Sequence, residues 1–141
     1  MAMKPFCGYN FADYWSHWLS FAEKSRELPK IFHVNWFRQD SDGRFLWPGF
    51  GENLRVLRWI IDRCEGRVEA TQTAIGYLPG KEDIDITGLN LEPSTMESLL
   101  NVDKENWRQE MQEIGDYLEE YGSRLPQELL KQQREVLNDL G

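Results

Sequence analysis

Phe37, Phe45, Trp47, Phe50 and Asn53 are the residues of this chain best placed to hold a flat ligand. The stretch RFLWPGFGEN, Arg44 to Asn53, crowds three aromatics around Pro48, Gly49 and Gly51, where neither a regular helix nor a regular strand can run. A purine needs apolar faces above and below it, and base–aromatic stacking contributes about 1–3 kcal/mol per base. It also needs a polar group at its edge, and the Asn53 amide offers both a donor and an acceptor. Gly49 and Gly51 let backbone approach a ring closely. The same aromatics would equally serve to anchor a loop on a core, and composition alone leaves both readings standing.

Other chemistries find less support. The phosphate loop GxxxxGKS/T does not occur, since Gly80-Lys81 is followed by Glu82. GFGEN begins like a dinucleotide fingerprint and then fails. His17 lies off the apolar stripe of its helix and His33 lies in a predicted strand, so neither suggests a metal ligand. The run from Arg38 to Gly43 superficially resembles a calcium loop, but its first and twelfth positions are Arg38 and Gly49, where acids are needed. Ser and Thr are scattered without an evident His/Asp partnership. Most carboxylates sit among charged neighbours and read as solvated helix faces.

The chain has 141 residues, 40% hydrophobic and 13% aromatic, with six tryptophans. That is one domain's worth of globular sequence. Net charge is −8 but unevenly spread: residues 1–81 carry 11 Lys/Arg against 9 Asp/Glu, and residues 82–141 carry 5 against 15. No basic patch suggests nucleic acid, and an anionic ligand would bind the front half. No apolar run reaches the length of a membrane span, and no signal-peptide core follows Met1. Cys7 and Cys64 form no CxxC pair and read as two reduced thiols of a cytoplasmic protein.

These residues need elements to position them. Phe11, Tyr14, Trp15, Trp18, Leu19 and Ala22 have helical spacing, so a helix over 10–24 is expected, with Asn10 as its N-cap. KIFHVNWF alternates Phe32, Val34 and Trp36 on one face and predicts a strand. Asp42-Gly43 supplies a turn into RFLW, giving a hairpin or near-hairpin. A second helix is expected from Asn53, with Asn53, Val56, Leu57, Ile60, Ile61 and Cys64 as one stripe and Gly66 as its stop. Asn53 then also reads as a cap or first-turn polar residue. Residues 67–91 read as irregular with short extended pieces. A helical tail over about 94–141 is expected, starting at a Ser94/Glu97 capping box. Within it Trp107, Met111, Ile114, Leu118 and Tyr121 form a stripe ended by Gly122, and Pro126 opens a last helix. The expected class is α+β: short mixed or antiparallel strands with an aromatic loop, followed by acidic C-terminal helices.

PKIFHVNWF, GRFLWPGFGEN and RVLRWI together closely resemble the GTP-dependent phosphoenolpyruvate carboxykinases. KPFCGYNFADYWSHWLS upstream and AIGYLP downstream also look like that family, so the resemblance spans Lys4 to about Pro79. It implies the reaction oxaloacetate + GTP = phosphoenolpyruvate + GDP + CO2, a step of gluconeogenesis and anaplerosis. It implies a guanine pocket in which Phe37, Phe45 and Phe50 pack on the base, Asn53 reads its edge and Trp47 sits beside the nucleotide, in a segment of about 31–64. Phe6 matches a phenylalanine lining the substrate site. The cofactors implied are GTP/GDP, with Mn2+ and Mg2+ in the full enzyme. Lys4 stands where many members have Arg, and Ala74 where Pro is commoner. The family's phosphate loop, catalytic lysine, metal ligands and substrate arginines precede the matching region. The resemblance therefore implies that residues 1–141 are the C-terminal part of a longer, cytoplasmic, monomeric enzyme. It implies no catalytic or metal-binding residue in this chain and makes the missing N-terminal part its partner. A stand-alone nucleotide-binding or regulatory module, or an inactive structural fragment, are the alternatives.

Overall fold

The structure is a computed structural model in which residues 6–141 are described. Lys4, singled out above, lies outside the described residues. The chain divides into two compact units, one of Lys30–Val102 and one joining Met1–Pro29 to Asp103–Gly141. The class is α+β, as the sequence implies. No helix among the described residues is long and apolar enough to cross a membrane.

The Lys30–Val102 unit is built around two buried tryptophans. Trp47, Trp59, Ile84 and Met96 form its core, and Phe32, Trp36, Val56 and Ile60 pack against them. Helix α2, Asn53–Cys64, turns Val56, Trp59 and Ile60 inward at i, i+3, i+4 spacing. This corrects the expected stripe, because Leu57, Ile61 and Cys64 are exposed. Trp59, the largest side chain of the helix, sets the packed face, and Gly66 at φ 70 follows the helix end. Strands β1 (Thr71–Thr73) and β2 (Gly76–Leu78) pair antiparallel, Gln72 opposite Tyr77. Helix α3, Pro93–Leu100, buries Met96. The expected capping box does not form. Pro93 takes the first helical turn, so Ser94 is already inside the helix, and Glu97 pairs with Lys81 at 2.6 Å instead.

Residues 31–37 are not a strand, which corrects a second expectation. Their period-two pattern is nevertheless real: Phe32, Val34 and Trp36 are half-buried and their neighbours are exposed. Phe32 meets Trp59 edge-on, and Trp36 lies 6.3 Å from Trp47. What is lacking is a partner strand. Side chains hold the segment in its place: Lys30 Nζ donates to the carbonyls of Arg63 (2.8 Å) and Cys64 at the end of α2. Arg38 Nη1 donates to those of Leu99 and Asn101, both at 3.2 Å, at the end of α3. Helix C-termini carry unpaired carbonyls and partial negative charge, so cations belong there.

In the other unit, α1 (Phe11–Lys24) begins at Asn10, whose Oδ1 accepts from the Ala12 N–H at 2.9 Å, as expected of an N-cap. Of its apolar stripe, Trp18, Leu19 and Ala22 are exposed, and Trp15 makes the main packing contact, 4.8 Å from the Tyr121 ring. The helical tail is interrupted at 101–103, where Asp103 caps α4 (Lys104–Glu119) by accepting from the Glu105 and Asn106 N–H groups. The stripe from Trp107 to Tyr121 is buried or half-buried along its length. Helix α5, Gln127–Leu140, opens after Pro126 and folds back on α4, with Leu118, Leu125 and Leu140 buried.

Three carboxylates of the Lys30–Val102 unit titrate below the usual range. Asp62 is held down by hydrogen bonds from Arg67 and then Arg58, Asp85 by Thr87, and Glu97 by Lys81. A carboxylate with a depressed folded pKa is protonated first in the unfolded chain. Its stabilisation is complete above the ordinary carboxylate range and is lost as pH falls through that range toward the folded value. The melting temperature should therefore drop as pH is lowered from about 6 to about 3. Asp62→Asn should flatten that dependence in a circular-dichroism melting series. Equal slopes for the two proteins would remove Asp62 from the account.

Candidate base-binding site

The aromatic loop starts as a narrow hairpin, stitched at its neck. Leu46 N–H donates to the Arg38 carbonyl and Asp40 N–H to the Arg44 carbonyl, each at 2.9 Å, flanking a single antiparallel bridge between Gln39 and Phe45. The tip is closed by Asp40, whose Oδ1 accepts from the N–H groups of Asp42 and Arg44, with Gly43 at φ 78. The near-hairpin expected from Asp42-Gly43 is thus present in minimal form. It sets Phe37 and Phe45 side by side, ring centroids 6.0 Å apart and 64° between planes. The Phe37 N–H is fixed in turn by Asn35 Oδ1 at 2.9 Å. Both rings face water, Phe37 73% exposed and Phe45 59%.

Beyond the hairpin the chain dives and resurfaces. Trp47 is buried, 6% exposed, in the unit's core. Gly49 then takes φ 122, ψ −172, a conformation only glycine adopts without strain. A 3-10 turn, Phe50–Glu52, leads directly into α2. The Asn53 N–H donates to the Phe50 carbonyl, which ties the backbone of Phe50 to the first residue of α2. Phe50 is 92% exposed, while Asn53 is half-buried. Asn53 is the first residue of α2 but not its cap: its Oδ1 accepts from Trp47 Nε1 at 2.9 Å.

The structure therefore groups five of the six residues singled out by sequence in one unit. Phe37 joins Phe45, Phe50 joins Asn53, and Trp47 joins Asn53 through its N–H while its ring serves the core. Phe6, 86% exposed, belongs to the other unit. Sequence reading missed the Trp47–Asn53 bond and the core role of Trp59. A signal for the first existed, because a buried indole N–H usually finds an acceptor, and the nearest amide downstream of Trp47 is Asn53. Arg55, also missed, latches the start of α2 by bonding Glu52 and the Asp85 carbonyl, each at 2.7 Å.

A shallow groove of about 540 Å3 lies elsewhere on α2, lined by Leu54, Arg55, Arg58, Trp59, Asp62, Asp83 and Asp85. It contains none of the six residues. Its arginines are already paired with Glu52 and Asp62, so it offers no spare cation to an anionic ligand. Among the described residues no three His, Cys, Asp or Glu side chains gather in a way that would hold a metal ion.

Residues 1–139 match the family profile of the phosphoenolpyruvate carboxykinase C-terminal P-loop domain. The phosphoenolpyruvate carboxykinase (GTP) of Chlamydia muridarum is 51% identical over 140 residues, covering 99% of this chain and 23% of that protein. The enzyme of the same name from Neocallimastix frontalis is 54% identical over 132 residues, covering 92% and 22%. That of Thermoplasma volcanium is 49% identical over 132 residues, covering 94% and 22%. The chain spans about a quarter of the length of these curated relatives.

The two loop glycines differ in a testable way. A Cβ at either would meet nothing within 4 Å, so only backbone conformation separates them. Gly49→Ala should cost about 1–3 kcal/mol of unfolding free energy, because its positive φ becomes strained. Gly51→Ala should change stability by about 1 kcal/mol at most. Urea denaturation of both variants checks this, and equal costs would show that the Gly49 backbone relaxes freely.

Proposed function

Since the chain belongs to the phosphoenolpyruvate carboxykinase C-terminal P-loop domain family, we propose that it forms the guanine-binding wall of a GTP-dependent phosphoenolpyruvate carboxykinase. The observation that carries this reading is the exposure of Phe37, Phe45 and Phe50 on backbone fixed by turns and bridges, while Trp47 beside them is buried. Ordered aromatic faces open to water, with an amide at one edge, are what a purine base requires. Phe37, Phe45 and Phe50 pack on the base and Asn53 addresses its edge. Trp47 stands behind Asn53. Phe6 is assigned to the substrate pocket on the family resemblance alone.

The whole reaction breaks the bond between C3 of oxaloacetate and the carboxylate beta to its ketone. CO2 leaves, and the electron pair becomes an enolate. The enolate oxygen takes the γ-phosphoryl of GTP, and the bond to the departing GDP oxygen breaks. This chain's residues bind and orient the nucleotide for that transfer and do not carry it out. With no GxxxxGKS/T in the sequence, we assign phosphate binding to the part of the protein outside the matched quarter. The divalent metals of the reaction, Mn2+ and Mg2+, do not fit any cluster of the described residues, and they too belong to that part. We take this N-terminal remainder as the chain's partner in a monomeric enzyme. Cys7 and Cys64, both free, suit a reducing cytoplasm.

The 141-residue chain should bind GTP weakly. Two stacking faces and one amide edge supply about 4 kcal/mol, a dissociation constant of about 1 mM. Phe50→Ala removes a side chain that contributes almost nothing to the core. It should raise the constants for GTP and ATP by the same factor, about fivefold or more. NMR titration reads both constants. An unchanged GTP constant in Phe50→Ala would place the base elsewhere. The chain alone should not convert phosphoenolpyruvate to oxaloacetate with GDP, and turnover in a coupled assay would reverse the division of labour proposed here.

A further inference from the structure

We infer that Trp47 is a positioning residue: by holding the Asn53 carbonyl, its indole N–H turns the Asn53 amide NH2 toward the base and selects purines with an oxo group at position 6. This rests on the base-site reading above. An indole N–H donates and never accepts. The 2.9 Å contact from Trp47 Nε1 therefore fixes which end of the Asn53 amide faces the core. The carbonyl points inward and Nδ2 is left to the other side, where it donates to no group among the described residues.

Both partners of this lock are themselves held. Trp47 is buried between Trp36 and the core residues around Trp59, so its ring cannot swing away. Asn53 is the first residue of α2, and its N–H is tied to the Phe50 carbonyl by the 3-10 turn before it. The amide is thus presented three residues from the exposed Phe50 ring with only its donor end free. A purine edge with a 6-oxo group, as in guanine or hypoxanthine, accepts from that donor. A 6-amino group, as in adenine, meets it donor to donor. Without the indole N–H the amide can turn over about its last torsion and offer its carbonyl to adenine. Trp47 therefore governs selectivity among bases more than affinity for any one of them.

The test uses the full-length protein carrying this segment and compares dissociation constants for GTP, ITP and ATP by calorimetry. Trp47→Phe keeps an aromatic ring in the core and removes the N–H. It should lower the preference for GTP over ATP by roughly 3- to 10-fold, the bias one hydrogen bond provides, and leave the GTP/ITP ratio as it was. A loss of packing alone would shift all three constants together, and an unchanged GTP/ATP ratio would overturn the inference. Asn53→Asp supplies the second arm, needed if Trp47→Phe folds poorly. Aspartate still accepts from Trp47 and suits a helix N-terminus, but it has no donor for the base. GTP and ITP should both weaken by more than about tenfold. Tighter GTP binding in Asn53→Asp would mean that the carbonyl end reads ring N–H groups, and the inference would fall while the base site stood. Phe50→Ala separates the two claims. If it weakens every purine nucleotide, the site is established and the ratios judge Trp47. If it weakens none, site and inference fall together.

Discussion

An indole N–H taken out of water costs free energy unless it finds an acceptor, and for Trp47 that acceptor is Asn53. The arrangement of the loop follows from this one requirement. The ring of Trp47 belongs to the hydrophobic core, while the atom it must satisfy lies on the first residue of α2. The Pro48-Gly49 descent and the 3-10 turn are the short path that joins the two. A buried donor left without a partner costs about 1–3 kcal/mol, so the loop has little freedom to detach from the helix start. Trp59, its neighbour in the same core, is placed differently: its Nε1 is buried with no partner among the described residues. The two tryptophans supply similar apolar area, but only one of them also fixes a polar side chain at the surface.

A second constraint acts on the other arm. Residues 31–37 lie on the core through Phe32 and Trp36 without a strand beside them. Their ends are secured by Lys30 and Arg38, which reach the carbonyl ends of α2 and α3. Each cation satisfies acceptors that a helix cannot satisfy internally. The result is a segment whose inward face is buried and whose outward face, Ile31 and Phe37 included, remains open. Phe37 is brought beside Phe45 by the hairpin neck, not by any ladder of strands.

The sequence made much of this legible wherever one local rule decided the outcome. Asn10 and Pro126 mark the starts of α1 and α5, Gly66 follows the end of α2, and the Trp107–Tyr121 stripe packs as its spacing implies. The alternation of Phe32, Val34 and Trp36 gave the correct buried face of a segment that is not a strand, because periodicity reports burial and not pairing. Failures came where two rules competed. At Pro93 the first-turn preference of proline displaced the Ser94/Glu97 box, and Lys81 took Glu97. In α2 the bulk of Trp59 rotated the packed face away from Leu57 and Ile61. At Asn53 a capping residue was recruited by a buried donor instead. Of the candidate site, the residue types and the turn at Asp42-Gly43 could be read. The inward direction of the Asn53 carbonyl could not, because it depends on where Trp47 is buried.

That direction matters because stacking and edge contacts do different work. An aromatic face binds every base, since every base has a π-face, so on the proposed reading the three exposed phenylalanines add affinity without choosing. Choice has to come from a polar group whose donor and acceptor ends are distinguished. An amide free to rotate offers either end and distinguishes little. Tying one end to a donor-only partner inside the core makes the other end single-valued. The cost is borne by folding, before any ligand arrives, so none of it is deducted when the base binds. On this view the core of the Lys30–Val102 unit and the selectivity of its surface are one construction: the burial that stabilises Trp47 is also what gives Asn53 a fixed sense.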